Sequence, residues 1–78
     1  MIKVLLFAGM QERAGKSEIQ LNEPHLLVSE IKRKLETQYD FPQMFTGCLS
    51  AVNEEFADDD TEVRSGDVVA FIPPVSGG

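Results

Sequence analysis

The chain has one cysteine, Cys48, in 78 residues, so it can form no internal disulfide and cannot supply the roughly four thiolates that hold an iron–sulfur cluster. That usage fits a reducing cytoplasm. Lysine and arginine number only 7 against 13 acidic residues, a net charge of −6. Nucleic-acid affinity rests largely on neutralising phosphates, so no nucleic-acid partner is expected and a basic partner surface is. No stretch approaches the roughly 20 apolar residues needed to cross a bilayer, so no membrane role is expected either. The opening residues alternate with Lys3, lack a small-residue cleavage site and run into Gln11, Glu12 and Arg13, unlike a secretory signal. There is a single histidine, His25, and no second His or Cys at ligand spacing. Catalytic triads, paired acid and base carboxylates and phosphate-cradling glycine loops are missing. No independent active site and no bound metal are expected.

What is present fits one compact domain with an economical core. Hydrophobic residues make up 42% of the chain, and no repeat or low-complexity tract interrupts it. A domain of this size buries only about 60% of the surface that its unfolded chain exposes.

Ile2 to Ala8 alternates Ile2, Val4, Leu6 and Ala8 against Lys3, Leu5 and Phe7, which predicts a first strand. Gly9 to Lys16 is polar with two glycines and reads as a hairpin loop, leading to an antiparallel second strand over Ser17 to Asn22 with Ile19 and Leu21 on one face. After a break at Glu23 and Pro24, with His25 in a loop, the spacing of Val28, Ile31 and Leu35 is helical, and Pro42 ends that helix by about Asp40. Met44 to Gly47 forms a connector. Cys48 to Val52 is a third strand, Phe56 and Ala57 a short fourth, and Asp67 to Ile72 the last. Because the last strand is apolar on both faces, it belongs in the middle of a sheet. Strand, strand, helix, strand, short strand, strand closes best as one twisted mixed sheet over one helix, with the first and last strands parallel at its centre. This is an α+β, ubiquitin-like β-grasp.

The ending is the most informative segment. After Phe71 and Ile72 come Pro73, Pro74, Val75, Ser76, Gly77 and Gly78. The prolines hold φ near the polyproline value and donate no N–H, which predicts a stiff departure from the last strand. Gly77 and Gly78 do nothing for folding but form the thinnest possible peptide, able to thread a slot too narrow for side chains. The six residues 73–78 reach roughly 20 Å when extended. The chain therefore divides into a β-grasp domain, 1–72, and a flexible tail, 73–78.

With Ile2, Val4, Leu6, Val69 and Phe71 turned to the helix, the other face of the sheet carries Leu5, Phe7, Val68, Ala70 and Ile72. Soluble monomers seldom leave such a patch uncovered, so these five are the candidate partner-binding residues. Other features have plainer readings. Cys48 is a packed thiol, Asp58, Asp59 and Asp60 form a solvated acidic turn, and Lys32, Arg33 and Lys34 are an exposed helix face.

The opening Ile2-Lys3-Val4-Leu5-Leu6-Phe7-Ala8, the helix around Val28 to Leu35, Ala51-Val52-Asn53, the Ser65-Gly66-Asp67 turn and above all Val69 to Gly78 resemble the small subunit of molybdopterin synthase, the MoaD type of ubiquitin-like sulfur carrier. The resemblance implies that an ATP-dependent, ubiquitin-activating-like adenylyltransferase adenylates Gly78, and that sulfur then displaces AMP to leave a thiocarboxylate. It further implies that Gly78 donates sulfur to a pterin precursor held by the synthase large subunit, forming the dithiolene, with Pro73 to Gly77 inserted into that partner. No cofactor is bound permanently; ATP belongs to the activating enzyme. Two alternatives share the terminal diglycine, a carrier for thiamine thiazole synthesis and a protein modifier conjugated through Gly78.

Overall fold

A computed structural model describes residues 1–74. Its elements are β1 (Ile2–Leu6), α1 (Ala8–Ala14), β2 (Glu18–Leu21), β3 (His25–Leu27), α2 (Val28–Gln38), β4 (Leu49–Val52), β5 (Glu55–Ala57), β6 (Glu62–Arg64) and β7 (Val68–Ile72). Five strands form one mixed sheet in the order β2-β1-β7-β4-β5, and β3 pairs with β6 in a separate two-stranded sheet.

The two most apolar strands lie side by side at the centre, as their patterning predicts. β1 and β7 run parallel, with Val4 opposite Val69 and Leu6 opposite Phe71. Antiparallel neighbours flank them, β2 beside β1 and β4 beside β7. Alternation sends Ile2, Val4, Leu6, Val69 and Phe71 inward, where they meet Val28, Ile31 and Leu35 of α2 in one buried cluster. Each such fully buried side chain contributes roughly 1.5–3 kcal/mol. The helix needs no side-chain hydroxyl to start it. Its first free N–H groups go to carbonyls of the acidic turn, Val28 N–H to Thr61 at 3.0 Å and Ser29 N–H to Asp59 at 3.0 Å. The Glu30 carboxylate reaches back to the Leu27 N–H at 2.8 Å.

The structure corrects four expectations. Gly9 to Lys16 is not a hairpin loop, because Ala8–Ala14 winds into α1, buries Met10 and stops at Gly15, whose φ of 76° suits a residue without Cβ. The first strand accordingly ends at Leu6, and Ala8 starts the helix. His25 is not in a loop but begins β3, and Glu62–Arg64 is a strand; these three-residue segments satisfy each other's backbone, with His25 opposite Arg64. The connector at Met44 to Gly47 is partly core, since Met44 and Phe45 are buried and the Phe45 ring lies 4.4 Å from that of Phe71, tilted by 43°. The sheet system is therefore five strands plus two.

Candidate functional site: the open sheet face and the end of β7

β7 delivers the chain to the site. It stops at Ile72, opposite Leu49 of β4, and Pro73 is half-buried while Pro74 is exposed. With no N–H, the prolines cannot extend the ladder. Val75, Ser76, Gly77 and Gly78, on which the sulfur-transfer expectation falls, lie outside the described residues.

The face turned away from α2 has no covering layer among the described residues. Leu5 of β1 and Val68, Ala70 and Ile72 of β7 stand on it, where the alternation places them. The register of β4 and β5 adds residues that sequence reasoning did not assign. Ala51 lies opposite Ala70 and Leu49 opposite Ile72, while Phe56 of β5 lies opposite Ala51. Leu5, Ala51, Phe56, Val68, Ala70 and Ile72, with Asn53 and Glu54 at one end, line a shallow depression of about 540 Å³. Phe56 is 76% exposed, Leu49 55% and Ile72 37%. Phe7, 43% exposed, stands past the end of β1, immediately before α1, and is not among the residues lining that depression. The signal for Phe56 was available, a large aromatic on a short strand just after a turn, but its face depended on a register that only the fold supplies.

The rim is polar. Lys3 and Glu18 pair at 3.8 Å on the β2 side, an exposed contact of little energetic weight. At the other end, Asn53 and Glu54 form the two-residue β4–β5 turn with φ of 51° and 71°, the pattern of a type I′ turn. Asp67, just before β7, is held below the usual carboxylate range by the Arg64 N–H and then by the Asn53 amide, with burial opposing them and the Arg64 charge contributing least.

The remaining candidates are placed as follows. Burial pushes the Cys48 thiol up, partly offset by Lys32, and its Sγ sits 3.8 Å from Met10 Sδ, so the group is a protonated, packing thiol. Lys32 pairs with Asp59 at 2.7 Å and Lys34 with Glu23 at 3.4 Å, which commits two of the three helix cations within the fold. Asp58 to Asp60 form the turn that caps α2. Among the described residues, no group of three or more His, Cys, Asp or Glu side chains could hold a metal ion. Nor is any described helix long and apolar enough to cross a membrane. What the arrangement offers is adhesion beside an exit point: an apolar face whose edge residue, Ile72, is also the last residue before the proline pair.

Known proteins resemble this chain in sequence and in fold. Residues 4–78 match the ThiS family. The chain is 36% identical to a molybdopterin synthase sulfur carrier subunit of Dictyostelium discoideum, over 97% of this chain and 94% of that protein. It is 33% identical to the one of Escherichia coli, with both chains covered in full. Among solved structures, small archaeal modifier protein 1 of Methanosarcina acetivorans superposes with a TM-score of 0.82 at 23% identity, covering 99% of this chain and 95% of that one. A complex of subunits 1 and 2 of the molybdopterin-converting factor of Helicobacter pylori gives a TM-score of 0.70 at 22% identity, covering 99% and 97%. At those identities the structural likeness speaks for the fold alone.

Proposed function

The chain belongs to the ThiS family, and from that membership we propose that it is the sulfur-carrier subunit of a molybdopterin synthase. Relatives carrying that name match it nearly end to end. The observation that carries the reading is this end-to-end identity to sulfur-carrier subunits, and the apolar open face that reaches Ile72 supports it with a surface for a partner.

The chemistry follows from the carboxylate of Gly78. With a pKa of about 3.3–3.7, a terminal carboxylate is an anion at neutral pH and a poor electrophile. An ATP-dependent adenylyltransferase activates it: a carboxylate oxygen attacks the α-phosphate, pyrophosphate leaves, and an acyl adenylate forms. Sulfide displaces AMP directly to give the thiocarboxylate; a persulfide gives an acyl disulfide that a thiol then reduces. The thiocarboxylate sulfur attacks an electrophilic carbon of the pterin precursor in the large subunit and displaces an oxygen leaving group from it; water then hydrolyses the resulting thioester, returning the Gly78 carboxylate while the sulfur stays on the pterin, and two loaded chains in succession supply the two dithiolene sulfurs.

This chain's own residues bind and deliver. Leu5, Val68, Ala70 and Ile72, together with Ala51 and Phe56, dock first the activating enzyme and then the large subunit, and Phe7 adds to the same contact. Because both partners need the same face and the same tail, they bind in turn. Pro73 to Gly77 carry Gly78 into each partner. The reaction is placed in the cytoplasm, where ATP and reduced thiols are available.

Intact mass spectrometry after incubation with activating enzyme, ATP and a sulfur donor tests the proposal. One oxygen-for-sulfur exchange is expected, abolished by deletion of Gly78, followed by dithiolene formation when large subunit and precursor are added. Gly78 found joined to lysine side chains, or loading without any dithiolene product, would overturn it.

A further inference from the structure

We propose that the edge of the sheet around β5 is an electrostatic docking surface, which draws a basic face of the synthase large subunit onto the open apolar face and speeds their encounter without tightening the grip. The inference rests on the carrier reading above and adds to it how the partner is found. Residues 53–67 hold seven of the 13 acidic residues and one of the seven cations, a formal charge of −6 that equals the net charge of the whole chain. The rest of the chain holds six residues of each sign and is neutral. The fold gathers the excess around one side chain. The segment comprises the β4–β5 turn, β5, the acidic turn, β6 and the turn into β7, and β5 is an outer strand of the five-stranded sheet. Phe56, the most exposed aromatic of the open face, borders three hollows. Glu54 lines the open-face depression, Asp58, Asp59 and Asp60 line a second hollow, and Glu55, Glu62 and Asp67 line a third. Every carboxylate of the segment therefore lines a hollow that Phe56 also lines, and all but the half-buried Asp67 are exposed.

The fold itself has no use for most of this charge. Asp59 pairs with Lys32, Glu62 with Arg64, and Asp67 is held by Asn53 and the Arg64 N–H. Among the described residues, Glu54, Glu55, Asp58 and Asp60 take part in no ion pair. Crowded like charges repel one another and destabilise the compact state. Charge on an outer strand guards it against pairing with another chain, which explains Glu55 but not the carboxylates in the turns on either side. Solubility needs a net charge but not its confinement to one edge. A partner of opposite charge explains both the position of these carboxylates and their lack of internal partners. Because Phe56 belongs to the open face and to the acidic edge alike, a partner drawn to the edge arrives on the apolar surface. Exposed charges act over about a Debye length, roughly 10 Å at 0.1 M salt, and add little once the pair is seated. Such steering raises association rates by about ten- to a thousandfold.

Glu54→Gln, Glu55→Gln, Asp58→Asn and Asp60→Asn are combined in one variant, which removes the four unpaired charges and keeps side-chain size. Its association and dissociation rates with the large subunit of the same organism are measured by stopped flow at low and at physiological salt, beside the wild type and Phe56→Ala. Wild-type association should slow as salt rises. The four-site variant should associate at least about tenfold more slowly at low salt, respond more weakly to salt, and dissociate within about twofold of the wild-type rate. Phe56→Ala should do the reverse, dissociating at least about tenfold faster with association nearly unchanged. Wild-type association that ignores salt or is hastened by it, or losses that fall on the opposite rates, would overturn the inference. If the four-site variant fails to fold, the salt response of the wild type carries the test alone. A wild-type pair that associates with the expected salt dependence yet makes no dithiolene overturns the carrier reading and leaves the docking surface standing; a pair that does not associate at all overturns both.

Discussion

Asn53 and Asp67 clasp each other across one end of the sheet. Asn53 Nδ2 donates to Asp67 Oδ1 at 3.1 Å, while Asn53 Oδ1 accepts the Val68 N–H at 3.0 Å and the Asn53 N–H donates to the Val68 carbonyl at 2.8 Å. The other carboxylate oxygen of Asp67 accepts the Arg64 N–H at 2.9 Å. One amide and one carboxylate thereby lock the β4–β5 hairpin to the β6–β7 turn. Two of the segments that carry the family resemblance, Ala51-Val52-Asn53 and Ser65-Gly66-Asp67, prove to be the two halves of a single joint.

Asn53→Ala removes both side-chain bonds and places a less tolerant residue at φ of 51°. A loss of about 1–3 kcal/mol is expected, read as a lower urea midpoint at neutral pH with an unchanged slope. An unmoved midpoint would show that the joint is dispensable.

The same joint predicts an acid response. Asp67 has its folded pKa lowered by the Arg64 N–H, the Asn53 amide and the Arg64 charge, in that order. A depressed carboxylate stabilises the fold above its unfolded value of about 3.9, and this stability is lost as the pH falls through the folded value. Asp67→Asn should therefore be less stable than the wild type at neutral pH, with the difference shrinking below pH about 4. A difference that stays constant with pH would remove the carboxylate from the explanation.

Glu54 occupies φ of 71°, where a side chain is strained. Glu54→Gly should raise stability by about 0.5–1 kcal/mol, the relief of a left-handed conformation offset by glycine's greater chain entropy. A calorimetric scan checks it, and a lower melting temperature would mean that the carboxylate makes a compensating contact.

On the open face, Phe56→Asp changes a side chain that is 76% exposed. Stability should stay within about 0.5 kcal/mol. Affinity for the large subunit should fall by about 2 kcal/mol or more, roughly thirtyfold, if the ring is a central anchor. Phe7→Asp should act in the same direction with the fold intact. Titration calorimetry on the folded variants decides, and full-strength binding by both would move the interface elsewhere.

Much of this architecture was legible because its longest signals are periodic. Alternation in Ile2 to Leu6 and Val68 to Ile72 identified the central strands and their inward faces, and the spacing of Val28, Ile31 and Leu35 identified α2. α1 was missed because seven residues with one buried side chain, Met10, leave no period to detect, although Gly15 was a usable stop signal. β3 and β6 are three residues each and gain their identity only from one another across the chain. Met44 and Phe45 are core without belonging to any repeat. For the site, alternation gave Leu5, Val68, Ala70 and Ile72, whereas Ala51 and Phe56 required the β4–β7 and β4–β5 registers, which no local pattern encodes.

The parallel pairing of β1 with β7 has a mechanical meaning. Tension applied between the residue before β1 and the residue after β7 pulls these neighbours past each other along their length, so their cross-links are loaded together in shear instead of unzipping one by one. Any pull between the two ends therefore meets the β1–β7 seam directly in the line of force.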